Sequence, residues 1–193
     1  MSFEKSVFVN CPLDDEYLPL LRPLLFTIVY LGFIPRIALE RLDSGEPRIQ
    51  KILSLIEESS YAIHDLSRLK AAVKGEYFRL NMPFELGLDV GCRLYKDGKW
   101  TTKKCLILEK EKYRYQAAIS DLSNSDIAAH NDEPDEVTMQ VRNWLNSEAQ
   151  LRGPGPTQVW NAFNDFTTQN FDRLKERGYS NLGHRTPPCR GAD

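Results

Sequence analysis

The chain carries no surplus of charge of either sign: 25 Lys and Arg stand against 27 Asp and Glu over 193 residues, a formal net charge of −2. Nucleic-acid binding leans on basic excess that neutralises phosphate, so this balance argues against DNA or RNA as the main partner and leaves room only for a local basic patch. Cysteine is scarce. Cys11, Cys92, Cys105 and Cys189 form no CxxC pair and show no zinc-ligand spacing, which argues against a structural zinc or a disulfide framework. Cys92 and Cys105 read as small buried hydrophobes, whereas Cys11 directly follows a strand and is placed to line a pocket. No apolar run approaches the roughly 20 residues that cross a bilayer, and the opening MSFEKSVFVN has no apolar signal core. The expectation is a cytoplasmic protein with reduced thiols and no membrane partner. GxGxxG, P-loop and GxSxG motifs are also missing, which removes support for dinucleotide redox, NTPase and hydrolase-elbow chemistry. There is no internal repeat and no low-complexity segment.

What remains is an ordinary globular composition, 41% hydrophobic and 27% charged. A chain of this length buries roughly 70% of its unfolded surface, enough for a core without a metal or disulfide. SVFVN (6–10), FIPRIAL (33–39), YAIHDLS (61–67) and CLILEK (105–110) are short apolar runs that read as buried strands, with a short edge strand expected at 126–129. Between them, 18–31 is apolar and helical in length and closes at Gly32. EPRIQKILSLIEESS (46–60) is helical, with Pro47 in its first turn and Ile49, Ile52, Leu53 and Ile56 as its inward stripe. NMP (81–83) opens a helix that runs to about Tyr95. KDGKWTTK (96–103) reads as a small hairpin-like excursion. EVTMQVRNWLN (136–146) is a further helix with Val137, Val141, Trp144 and Leu145 inward. RGPGP (152–156) is the one convincing linker, so the division is 1–150 as an α/β domain and 151–193 as a C-terminal helix and flexible tail. That helix carries Trp160, Phe163, Phe166, Phe171 and Leu174, an aromatic stripe of the kind that dominates interfaces. The tail from Ser180 is expected to be disordered.

Alternation of continuously apolar strands with helices predicts an α/β, flavodoxin-like three-layer sandwich with a central parallel sheet and a C-terminal helical extension. In such sheets ligands bind outside the carboxyl ends of the strands, near the switch in strand order. That rule selects Asn10, Cys11 and Pro12 after the first strand and His64, Asp65 and Ser67 after the third, with Asn81 and Glu85 beyond. Glu85 stands near a helix N-terminus, where the macrodipole favours an acid. A capping box would need Ser or Thr three residues earlier, and Met82 is there, so the carboxylate is also free for chemistry. Asp65 suits either an Asx turn or a hydrogen bond to a ribose hydroxyl. His64 reads as a satisfied structural histidine, and His130 and His184 fall in a loop and in the tail. KKCLILEKEKYRYQ (103–116) mixes basic residues with tyrosines, and reads as a solvated strand exit rather than an RNA contact.

The order VFVNCPLDDEY, then IHDLS, then NMPFELGLDVG resembles the superfamily that joins TIR domains and nucleoside 2-deoxyribosyltransferases, over roughly residues 6–146. The segment DLSNSDIAAH followed by VRNWL is similar to the end of a TIR-like domain. In both branches a Glu on the helix after the third strand, often followed by Leu and Gly, is catalytic, and here the match is Glu85. Met82, Pro83 and Phe84 stand where many TIR domains have a tryptophan and cysteine, and the acids expected around a deoxyribosyltransferase substrate are matched in part, by Asp65 and by Asp14 or Asp15. The resemblance implies an enzyme that breaks an N-glycosidic bond. One form is a TIR-type NAD hydrolase or cyclase, associated with signalling or defence, with NAD as substrate rather than cofactor. A second is a nucleoside 2-deoxyribosyltransferase or nucleotide N-glycosidase, and a non-catalytic nucleotide-sensing or assembly module is the other class. The residues expected to hold substrate are Asn10, Cys11, Pro12, Arg36, Asp65, Arg68 and Asn81, with Arg36 or Arg68 on phosphate. No metal is needed, the partner is a nucleotide, and the chain is expected to form a homo-oligomer.

Overall fold

Five apolar segments become strands: β1 (Ser6–Asn10), β2 (Ile34–Arg36), β3 (Tyr61–Asp65), β4 (Lys104–Glu109) and β5 (Ile127–Ala129). All pair in parallel, in the order β2-β1-β3-β4-β5. Parallel neighbours require crossovers, supplied in part by α1 (Leu18–Tyr30), α2 (Arg48–Glu57) and α3 (Asn81–Tyr95); α4 (Pro134–Glu148) and α5 (Pro156–Glu176) follow the last strand. This computed structural model describes residues 2–69, 79–112 and 127–176. The chain is the expected flavodoxin-like three-layer α/β sandwich. Most of the loop before α3, the stretch before β5, the tail from Ser180 with His184 and Cys189, and the side chain of Leu174 lie outside the described residues. No described helix is long and apolar enough to cross a membrane.

The sheet is buried on both faces, which is why its strands are apolar without alternation. Val7, Val9, Ile63 and Leu108 pack under α1 and α4, against Leu24, Ile28, Val141 and Leu145 among others. Phe8 and Ala62 pack on the other face against Ile52, Leu55 and Ile56 of α2. Ile107 does so against Met82 and Leu86 around the start of α3. Successive strand residues point to opposite faces. Asn10 and His64, paired in register, therefore continue the α2/α3 face of Phe8 and Ala62. Asp65 continues the α1/α4 face of Ile63.

Several elements differ from expectation in detail. β2 is three residues long, and Ala38–Glu40 turns into a 3-10 helix instead of extending the strand. In α2 the inward residues are Ile52, Leu55 and Ile56, while Ile49 and Leu53 are 43% and 37% exposed. The helix is rotated from the expected stripe, with its first turn exposed. Pro47 is its N-cap and Pro83 the third residue of α3. Lys96–Lys103 holds a 3-10 helix at Gly98–Thr102, not a hairpin, with the Trp100 indole N–H donating to the Glu57 carbonyl at 3.0 Å. Gly32, at φ +82°, takes the left-handed turn that ends α1 and releases the chain into β2.

α5 lies against α1 and α4. Val159 is fully buried. Phe163 and Phe166 meet Phe26 of α1 with ring centroids 5.5 and 5.3 Å apart, and Trp160 stacks on Phe163 at 5.5 Å. The expectation of a homo-oligomer drew on this stripe and on the family resemblance, with the helix contributing to the contact. Trp160, Phe163 and much of Phe166 instead find their partner within this chain.

Candidate functional site

A narrow cleft opens at the carboxyl end of β1, where the strand order turns from β2 on one side to β3 on the other. Its polar lining is Asn10, Cys11, Arg48, Asn81 and Glu85; Phe8, Ile52 and Met82 are among its apolar walls. The free interior is about 20 Å³, room for about one water molecule. A larger ligand must displace a wall, and Arg48, whose side chain is 65% exposed, is the outermost polar one.

Glu85 forms the floor. It is 5% exposed, and its Oε1 lies 3.4 Å from the Arg48 guanidinium and 3.5 Å from Asn81 Nδ2. Both contacts sit at the outer limit of hydrogen bonding, and an ion pair with one exposed partner is worth only about 0–1 kcal/mol. The carboxylate is thus enclosed but loosely held. Pro83 and Met82 place it one turn into α3, with its side chain turned back toward the mouth of the sheet.

Asn10 is held far more firmly. Its Nδ2 donates to the Met82 carbonyl and to His64 Nδ1, both at 3.0 Å, which fixes the amide orientation and leaves only the carbonyl oxygen to offer a ligand. His64 accepts at Nδ1, so its proton is on Nε2, which faces Asp89 Oδ2 at 3.3 Å. Asp89 Oδ1 meets the Lys103 ammonium at 3.0 Å. That ammonium also donates to the carbonyls of Ser59 and, at 2.8 Å, Ile56, closing the end of α2. Burial pushes the Asp89 carboxyl up, but His64 and Lys103 outweigh it and the net shift is downward. A buried row from Lys103 through Asp89 and His64 therefore ends on Asn10 in the cleft.

His64, Asp89 and Cys105 also bring three potential ligand atoms within 4.8 Å of one another, a grouping that sequence spacing did not announce. It does not fit a metal well. Lys103 already neutralises the carboxylate, and burial raises the Cys105 thiol far from its thiolate form.

Of the residues expected to hold substrate, the fold brings Asn10, Cys11 and Asn81 together with Glu85. Cys11 is a neutral thiol there, because burial and then the charges of Asp65 and Glu85 push its pKa well up. Four others stand elsewhere. Asp65 is fully buried on the opposite face of the sheet, where it accepts from the Tyr17 hydroxyl and from the Ser67 N–H at 2.8 Å and lies 3.2 Å from His130 Nε2. It has no side facing the cleft, since the pleat turns it away from the residue before it. Arg36 is bound to Glu40 and Glu58, at 2.7 and 2.8 Å. Arg68 is bound to Glu16 at 2.9 Å, and Pro12 is buried beside the cleft without lining it. Neither arginine lines the cleft. Among the described residues the cation lining the cleft is Arg48, the first residue of α2, which sequence reasoning passed over.

No family model matches the chain, and a search of curated proteins finds no match.

Proposed function

We propose that the protein cleaves the N-glycosidic bond of a cytoplasmic nucleotide, with NAD as the preferred substrate, releasing nicotinamide. The observation that carries this is the enclosed, loosely held carboxylate of Glu85 at the strand ends, flanked by the locked acceptor of Asn10 and the amide of Asn81. In the reaction the C1′–N bond breaks and its electron pair leaves with the base. The ribose becomes oxocarbenium-like, and the negative charge of Glu85 stabilises it or captures it as an ester. Water then adds its oxygen to C1′ and releases a proton. In cyclisation an atom of the same nucleotide takes the place of water. Asn10 and Asn81 orient the ribose hydroxyls.

The choice of NAD follows from the acids at hand. Nicotinamide is bound as a cation and leaves neutral, so it needs no proton donor. Purine and pyrimidine bases leave as anions unless protonated, and the cleft offers Glu85 as its one carboxyl group among the described residues. Transfer of, or hydrolysis to, a deoxyribose product uses the same carboxylate and is the alternative substrate class.

Purified protein incubated with NAD and, separately, with deoxynucleosides and deoxynucleotides is expected to release nicotinamide from the first. Glu85→Gln keeps size and polarity and should lower the rate by about 10²–10³-fold with unchanged circular dichroism and melting. A folded Glu85→Gln protein with full activity removes Glu85 from the chemistry.

A further inference from the structure

We infer that Arg48 selects phosphorylated substrates by leaving Glu85 for the substrate's phosphate, so that an anionic ligand unmasks the carboxylate and a neutral nucleoside does not. This rests on the N-glycosidic role of Glu85 and names the class of substrate that the site accepts.

Arg48 is the first residue of α2, whose first turn contains no acid and whose cap, Pro47, makes no side-chain hydrogen bond. Its side chain is 65% exposed at the mouth of the cleft, and the carboxylate beneath it is 7% exposed. One contact at 3.4 Å joins them. A guanidinium has five donors in a planar fork, and a phosphate accepts two of them side by side, a better match than one distant carboxylate oxygen. Other arginines on the same side of the molecule are engaged: Arg36 with Glu40 and Glu58, Arg41 with Glu46.

Charge makes the exchange necessary. A guanidinium against Glu85 opposes the field that should stabilise a cationic ribose, even where the pair itself is weak. Space favours it as well, because the interior of about 20 Å³ must widen to admit a ribose and Arg48 is an exposed group lining its mouth. A 5′-phosphate, carried some way from C1′, draws the guanidinium outward and leaves Glu85 facing the bond to be broken.

Nicotinamide riboside, nicotinamide mononucleotide and NAD share one bond and one leaving group and differ in phosphate. With the full-length protein, kcat/KM for the mononucleotide and NAD should exceed that for the riboside by at least tenfold. Millimolar inorganic phosphate should raise turnover of the riboside severalfold. In Arg48→Ala the riboside should be cleaved faster than by the parent and without phosphate stimulation, and the preference for the mononucleotide should fall to near unity; Arg48→Lys should retain part of it. Equal turnover of riboside and mononucleotide by the parent protein, or an unchanged ratio in Arg48→Ala, overturns the inference while leaving Glu85 in place. If no substrate releases nicotinamide, the N-glycosidic role fails, and the anion site is tested by binding alone. Ribose 5-phosphate, but not ribose, should then raise the melting temperature of the parent and not of Arg48→Ala, and no such difference rejects Arg48 as an anion site.

Discussion

The carboxylate of Asp65 is held from three parts of the chain at once: by hydrogen bonds from Tyr17 just before α1 and the Ser67 N–H after β3, and by the His130 ring 3.2 Å away after β5. Burial alone would raise its pKa, but His130, Ser67 and Tyr17 outweigh it and hold the group below the usual carboxylate range. Asp89 shifts the same way for the same kind of reason. A carboxyl depressed in the folded state contributes stability that is complete above its unfolded pKa, about 3.9, and is lost as pH falls through the folded value. Unfolding free energies from denaturant titrations should therefore drop steeply below about pH 4. Asp65→Asn should remove part of that slope and cost about 3 kcal/mol at neutral pH, because it strips a buried hydrogen-bonded network of its charge. An acid-independent stability between pH 4.5 and 2.5 would contradict this account. The sequence showed Asp65 as a strand-end acid beside Glu85, and it could not show which face it took, since a pleat of period two places neighbours His64 and Asp65 on opposite sides. Glu85 itself was legible, because a carboxylate in the first turns of a helix without a Ser or Thr partner asks for another use. Arg48 was not: nothing local tells a solvated arginine from one laid over a cleft.

Helix α3 carries Gly87 and Gly91 one turn apart, and close packing on the sheet requires neither. A Cβ built at Gly87 meets nothing within 4 Å, and at Gly91 the nearest atom is the Tyr95 ring at 3.9 Å. With helical backbone and open space, Gly87→Ala should stabilise the protein by about 0.5–1 kcal/mol through helix propensity, read as a higher midpoint in urea at unchanged slope. A loss of stability would mean that the exposed face of α3 is covered in solution. The rotation of α2 shows why periodicity locates a helix better than it orients it. Ile49, Ile52, Leu53 and Ile56 are a fair stripe, but so are Ile52, Leu55 and Ile56, and only the position of the sheet decides between them. That rotation leaves Arg48 exposed at the cleft beyond the end of β1.

At the scale of the whole molecule, fold class and element order were readable because five short apolar runs between helical segments leave few arrangements other than a parallel sheet covered on both faces. The place of α5 was not readable: an aromatic stripe after a Gly/Pro linker suits a second chain as well as its own. The segment between α4 and α5 settles it within this chain, for Arg142 donates to the carbonyls of Pro154 at 2.6 Å and Gly153 at 3.2 Å and turns α5 back over α1. Val159 is then fully buried and Phe26 is enclosed by Phe163 and Phe166. A fully buried Val or Phe contributes about 1.5–3 kcal/mol, so ending the chain at Leu151 should lower stability by about 3 kcal/mol or more. The same cut bares Phe26 beside Tyr30 and Val29, which are already exposed, and so widens an apolar strip on α1 of the kind that drives association. Differential scanning calorimetry and light scattering of both lengths at micromolar concentration measure the two effects together. The shortened chain should melt earlier and scatter more, while the proposed nicotinamide release stays within about twofold per folded molecule, because the cleft is built on α2 and α3, across the sheet from α5. Equal melting temperatures would mean that α5 is not docked in solution, and loss of activity in the still-folded fraction would mean that α5 reaches the site after all.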